Sequence, residues 1–457
     1  MFAPPRAVDS HAVVDSGAEP TSGGALSAFR YREFSVFFTA GFLSNSGTWM
    51  QTVTVPYVVD QLTHSTALVG VSAFAAFFPA TMIGPLAGSL ADRHDRRTLL
   101  IWAQVVMMAM ATALCVTWAT GVATTGIILV CVVLSAFGAG ITTAAWQSFV
   151  PQLVPRSVLL SAVRVNSMQF TAARAFGPAL AGLVLATLGP SWAFGGNAVS
   201  FLCVIGALLV IAPRPPIDPD TAGRVLAHFR EGVRYVRQRA VLFIAVLMVM
   251  LIALFGVAIV QLVEPIARHV FHVGAGRYGI MTGAYGLGAV IGGVFTVAFG
   301  DIFRRSRLAL LGLAMMAAGD VVLGITPIYW VAVAALLAMG LAQVLCMVSC
   351  NTAIQLNVDD GYRGRASSMF TMSFFAAAPI GSLVGGIIGD LFDLRVTIIG
   401  AGVILAACLA VAAVRFNGLG HLDQVPPLFD ERVAAARQYV PPTDLDSAGH
   451  LVVETID

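Results

Sequence analysis

The chain of 457 residues has a mean hydropathy of +0.85 and only 11% charged side chains, against roughly 25% in soluble domains. That composition excludes a soluble enzyme or a nucleic-acid-binding domain and leaves an integral membrane protein with many spans. The formal net charge of +2 decides nothing by itself, because in membranes the placement of basic residues outweighs their sum.

Met1 to Leu26 is rich in Ala, Pro, Ser and Gly and lacks the charged start, apolar run and cleavage site of a signal peptide. Residues 1–30 are therefore expected to be a disordered cytoplasmic segment, with the first apolar run kept as a span. A spanning helix needs about 20 mostly apolar residues. Such runs begin near Val36, Leu68, Leu99, Thr125, Leu160 and Trp192, then again near Val241, Gly279, Leu308, Ile328, Ala366 and Val396. The pattern predicts a six-helix bundle over 31–212 and a second six-helix bundle over 241–416. Between them runs a cytoplasmic connector, 213–240, whose second half suits a surface amphipathic helix. Residues 417–457 form a polar tail with Pro426-Pro427 and Pro441-Pro442, and little order is expected there.

All 26 basic residues are arginine. With the N-terminus inside, only Arg268, Arg277 and Arg395 fall outside, and Arg174 lies within a span. The positive-inside rule thus puts both termini in the cytoplasm of a multi-pass cell-membrane protein. The halves also repeat. Asn166 to Gly182 parallels Ser367 to Leu383, with Ser167-Met168 matching Ser368-Met369 and Pro178 matching Pro379, at an offset of 201. Gly300-Asp301 with Arg304, Arg305 and Arg307 echoes GSLADRHDRR, the charged stretch from Gly88 to Arg97. Parallel halves related by an axis along the membrane normal mark transporters.

Other chemistry is not signalled. The six cysteines sit in apolar runs without CxxC spacing. No GxxxxGK[ST] loop, HExxH or nucleophile elbow occurs, so no ATPase, metal, cofactor or enzyme site is expected. His269 and His272 are three apart, a spacing that is more often a surface coincidence than a metal site.

GPLAGSLADRHDRRTLL resembles the loop between spans two and three of the major facilitator superfamily, roughly G-x-x-A-D-R-x-G-R-R. Gly88, Asp92, Arg93, Arg96 and Arg97 are in place. Asp95 stands where the glycine is usual, and aspartate tolerates left-handed backbone. SGTWMQTVTVPYVVDQLTHST, PRSVLLSAVRVNSMQFTAARAFGPALAGLVL and DDGYRGRASSMFTMSFFAAAPIGSLVGG are similar to the branch containing the enterobactin exporters and bacterial macrolide efflux pumps. The resemblance implies an all-α fold of twelve transmembrane helices in two pseudo-symmetric bundles. It implies secondary transport by alternating access, with protons as coupling ion and a small amphipathic compound as substrate. It also implies that Asp92 faces the start of span eleven and latches the cytoplasmic side. Gly88, Arg93, Arg96, Arg97 and, in the second half, Asp301 would share that gate; the arginines alone would serve equally as a topology signal.

Span five carries Arg174-Ala-Phe-Gly177-Pro178-Ala-Leu-Ala-Gly182, similar to the G-P-x-x-G-G element of superfamily antiporters, with Ala181 in place of one glycine. Gly177, Pro178, Gly182 and Pro379 are thus candidate flexing points, or ordinary close packing. Helices expected to line a central cavity offer Asn45, Trp49, Gln51, Trp146, Gln147, Gln169, Gln261, Tyr285, Gln343, Met347, Asn351, Phe374 and Phe375. That mixture suits a bulky amphipathic solute. Arg174 either lines this path and attracts anionic groups, or is a structural residue satisfied by carbonyls and glutamines. Asp60 and Glu264, near the outer ends of spans one and seven, are the candidate proton carriers or else solvated helix ends, whereas Asp320 reads as structural. The shortage of deep carboxylates keeps open a second function, a lysophospholipid facilitator on the same scaffold. A monomer is expected.

Overall fold

Several turns between apolar runs carry residues that a helix end needs. Ser65, Asp95 and Thr124 accept hydrogen bonds from backbone N–H groups three residues on, as N-caps do. Pro190 sits in the first turn of its helix, where a missing N–H is harmless. His64 (φ 49°), Gly121 (74°) and Gly189 (88°) supply left-handed backbone at turns. The computed structural model describes residues 27–211, 225–300, 302–415 and 422–423.

The first bundle comprises α1 (Arg32–Thr63), α2 (Thr66–Arg93), α3 (Arg96–Ala119), α4 (Thr125–Phe149), α5 (Leu159–Thr187) and α6 (Pro190–Val210). After α7 (Val225–Gln238) comes the second bundle. It holds α8 (Ala240–Val260), α9 (Ala275–Phe299), α10 (Arg305–Ile325), α11 (Tyr329–Asn357), α12 (Arg363–Leu391) and α13 (Leu394–Arg415). Among the described residues eleven helices are long and apolar enough to cross a membrane. The twelfth is α1, 32 residues long, whose middle carries Asn45, Thr48, Gln51 and Thr52 instead of a continuous apolar run. No strand occurs among the described residues. The architecture is the expected pair of six-helix bundles.

The bundles meet along α2–α12 and α5–α9. Without water to drive association, such contacts rely on small residues that let backbones approach. A Cβ at Gly386 would stand 2.6 Å from the Thr66 carbonyl oxygen, and one at Gly182 would stand 2.5 Å from Gly279 Cα. A Cβ at Gly70 would collide with the Ser382 carbonyl. Gly88 lies eighteen residues beyond Gly70, about five turns later on the same face of α2, and nothing comes within 4 Å of its Cβ position. Gly293, about four turns beyond Gly279 on α9, is equally open. The bundles therefore touch at the distal end, where α1 turns into α2, and part at the opposite end, which carries α7.

Helix α7 is pinned to the second bundle. Arg239 pairs with Asp359 at 2.5 Å and Arg365 with Glu231 at 2.9 Å. The rings of Tyr235 and Tyr362 stack at 4.1 Å with the guanidinia of Arg239 and Arg365 on their outer faces.

Three expectations change. The last residues of the segment expected to be disordered are ordered, because Ser27–Arg30 form a turn whose buried Ala28 donates its N–H to Ser161 Oγ at 3.3 Å. Part of the tail is packed. Leu422 is buried, and Asp423 accepts from Ser306 N at 3.0 Å and Ser306 Oγ at 2.5 Å, satisfying the start of α10. Asp95 is not left-handed (φ −57°); it caps α3 through Thr98 N at 3.0 Å, so the turn needs no glycine.

Candidate functional site: a cavity and a closed end between the bundles

A cavity of about 240 Å³ lies between the bundles. Trp49, Gln51, Phe77, Arg174, Pro178, Gln261, Tyr285, Phe374, Phe375 and Pro379 all reach it. Its wall is mostly apolar, and Arg174 is the one charged lining residue among those described. The guanidinium lies over the Trp49 ring, 5.4 Å from its centroid, and Nη2 donates to Gln343 Oε1 at 3.3 Å. The Tyr285 hydroxyl donates to the same oxygen. Gln343 thus stands one layer behind the wall, fully buried. Asn197 Nδ2 donates to Gln51 Oε1 at 2.8 Å and holds that amide at the cavity edge.

Other expected lining residues fall elsewhere. Trp146 is buried inside the first bundle, its ring 4.1 Å from Phe37 and its N–H donated to Asn166 Oδ1 at 3.0 Å. Gln169 is buried away from the cavity with neither amide atom partnered. Gln147 and Asn351 are exposed, and Asn45 and Met347 are half-buried without reaching the wall. Periodicity places such residues on a helix but not on one face, and the faces of α1, α4, α5 and α11 turn these away. Gly177 presses α5 against α1, since a Cβ there would meet Trp49 Cβ at 2.5 Å. Both α5 and α12 run unbroken through Pro178 and Pro379. The irregular stretch is instead on α8, with π turns at Ile252–Val257 and, beyond the span, at Ile266–Val270.

The distal end is closed by polar contacts between the bundles. Asp60, on α1, is fully buried. Arg268 Nε stands 3.4 Å from its Oδ2, and His269 Nε2 stands 2.9 Å from its Oδ1. Both partners follow α8 and keep about a third of their side-chain surface exposed. Glu264 is 2% exposed with Oε2 unpartnered and lies just past the end of α8. Burial first, then the Asp60 charge, push its carboxyl up to about 9 against the pull of Arg268. Nearby, the Tyr278 hydroxyl donates to the Val53 carbonyl at 3.1 Å. On α12, Asp390 accepts from Thr66 N at 2.7 Å and Ser65 Oγ at 2.5 Å, seating a carboxylate on the start of α2. Sequence reasoning missed Arg268, His269, Tyr278 and Asp390. Arg268 and His269 were legible only as two of the few charges beside a span end.

At the open end, only part of the expected gate falls among the described residues. Gly88 faces empty space, and the side chains of Asp92 and Arg93, with Asp301, lie outside the described residues. Arg96 Nη1 donates to the Ser148 carbonyl at 3.2 Å. Arg97 donates to Leu208 at 2.6 Å and Leu209 at 3.2 Å. These cations brace the ends of α4 and α6, where carbonyls lack helical partners.

Residues 23–437 match the family described as transmembrane secretion effector. The enterobactin exporter EntS of Citrobacter koseri is 24% identical over 405 residues, covering 87% of this chain and 95% of the exporter. EntS of Escherichia coli K12 is 25% identical over 407 residues, covering 86% and 94%. Among solved structures, a bacterial homolog to the human lysosomal transporter Spinster, inward-facing and unoccupied, superposes with a TM-score of 0.70 at 15% identity, covering 87% of this chain and 99% of that one. The inward-open xylose transporter XylE from E. coli superposes with a TM-score of 0.62 at 15% identity, covering 83% and 94%.

Proposed function

Because the chain belongs to the transmembrane secretion effector family of the major facilitator superfamily, a secondary transporter and not an enzyme, we propose that it is a proton-coupled exporter of a small amphipathic compound. With the arginine-rich α7 end in the cytoplasm of a cell membrane, the open end faces inward and the cavity loads from the cell. The observation that carries the coupling is the Asp60–Glu264 pair: two buried carboxylates, one from each bundle, at the closed distal end. His269 and Arg268 stand between Asp60 and distal water. Opening that end hydrates Glu264 and separates it from Asp60, so the proton occupancy of Glu264 and the gate position become one equilibrium. The monomer holds every group this cycle uses.

Vesicles containing the purified chain test the reading. An amphipathic dye should move only while a pH gradient is held, with protons moving in the opposite direction. Dye movement indifferent to the gradient removes proton coupling. Lysophospholipid translocation without a gradient would instead favour a lipid facilitator.

A further inference from the structure

Among the described residues the Arg174 charge has no counter-charge in ion-pair range. A cation within a spanning helix is costly unless it meets water or an opposite charge. Among the described residues its guanidinium has one hydrogen-bond acceptor, Gln343 Oε1, and no carboxylate in ion-pair range. That acceptor is already shared with Tyr285, and an amide oxygen has only two lone pairs. A guanidinium carries five N–H donors, so most are left for whatever occupies the cavity. Trp49 adds attraction through its ring face and fixes the group in place, but neutralises nothing. The cavity is thus an apolar, aromatic-walled chamber with a single positioned positive charge.

We propose that Arg174 is an anion subsite, and that the exported compounds are organic anions carrying a carboxylate or sulfonate beside an aromatic body. This rests on the exporter reading above. The anionic group pairs with the free N–H donors, a fork that matches two oxygens at once. The body lies against Trp49, Phe77, Phe374 and Phe375. Organic cations find no carboxylate among the described wall residues and are repelled by Arg174. Neutral compounds bind only through the apolar surface.

Two probes with one ring system separate these cases: 1-anilinonaphthalene-8-sulfonate and its uncharged counterpart, N-phenyl-1-naphthylamine. Binding to the full-length purified chain is measured by equilibrium dialysis with empty micelles subtracted. The parent protein should prefer the sulfonate by roughly tenfold, the scale of a charge-assisted pair. Arg174→Gln and Arg174→Met should each lose that preference while neutral-probe binding stays within about twofold, which also shows that the variant is folded. Two variants are used so that one folded variant suffices. No sulfonate preference in the parent, or an undiminished preference in a folded variant, overturns the subsite. Vesicle transport keeps this outcome apart from the exporter reading. Gradient-driven movement of both probes without preference overturns the subsite alone. Selective binding with movement of neither probe leaves the subsite and removes the exporter.

Discussion

Replacing Asp390 with Asn should loosen the distal end while keeping the shape of the contact. The carboxylate lies on the α2 N-terminus, accepting from Thr66 N and Ser65 Oγ. A charge at an exposed helix N-terminus contributes about 0.3–1 kcal/mol, and hydrogen bonds to charged groups exceed neutral ones by a similar amount. Asp390 is solvent-exposed, so screening holds the loss in Asp390→Asn to about 1 kcal/mol. That shifts the population toward the distal-open state by roughly fivefold. Ser382, buried against Gly70, offers a reporter. Ser382→Cys, in a background without the six native cysteines, should react several-fold faster with an impermeant maleimide added from the distal side. Ser65→Ala on top of Asp390→Asn should add less than it does alone, because the two share one contact and only the Leu68 cap remains to be lost. Unchanged labelling in Asp390→Asn, or fully additive effects, would refute the reasoning.

Gly279→Val places a branched side chain where the α5 and α9 backbones cross at Gly182; it should hold the distal end open and abolish transport while abundance stays near normal on immunoblots. Closure keeps the Glu264 proton to about 9, against 4.5 for the ordinary group. The closed end is therefore fully favoured below that lower value and weakens as pH rises toward the upper one. Distal labelling should rise across this window, and Glu264→Gln should flatten the profile. Asp60→Asn leaves Arg268 and His269 facing a neutral group, so pH-driven proton uptake per dye exported should fall in vesicles. Arg97→Gln removes donors to the end of α6; thermal unfolding in detergent should come several degrees lower with transport per folded molecule unchanged.

The number, length and order of the spans were legible because hydropathy reports burial in lipid directly, and the repeat at offset 201 paired the halves. Asp60 and Glu264 were legible as rare acids at span ends, yet their juxtaposition depends on how two bundles close, which no local pattern encodes. Trp146 shows the reverse failure. Trp146 looks functional in sequence, yet its N–H is satisfied by Asn166 inside one bundle. GSLADRHDRR reads as a gate, and sequence did not show the local work of three of its charges: Asp95 caps α3, while Arg96 and Arg97 donate to the ends of α4 and α6. Asp390 was invisible because a carboxylate at the end of α12 gains meaning only from the start of α2, 324 residues away.

The stack of Arg239, Tyr235, Tyr362 and Arg365 decides where this polypeptide could be written as two genes. A break after Gln238 would strand α7 on the wrong fragment, leaving Arg365 and Tyr362 to find Glu231 and Tyr235 across a bimolecular encounter while Arg239 stayed with Asp359. A break ahead of Val225 ships α7 with its anchor. The two products then need only recognise each other through the glycine crossings of α2–α12 and α5–α9, surfaces that a transporter must in any case be able to join and separate on every cycle.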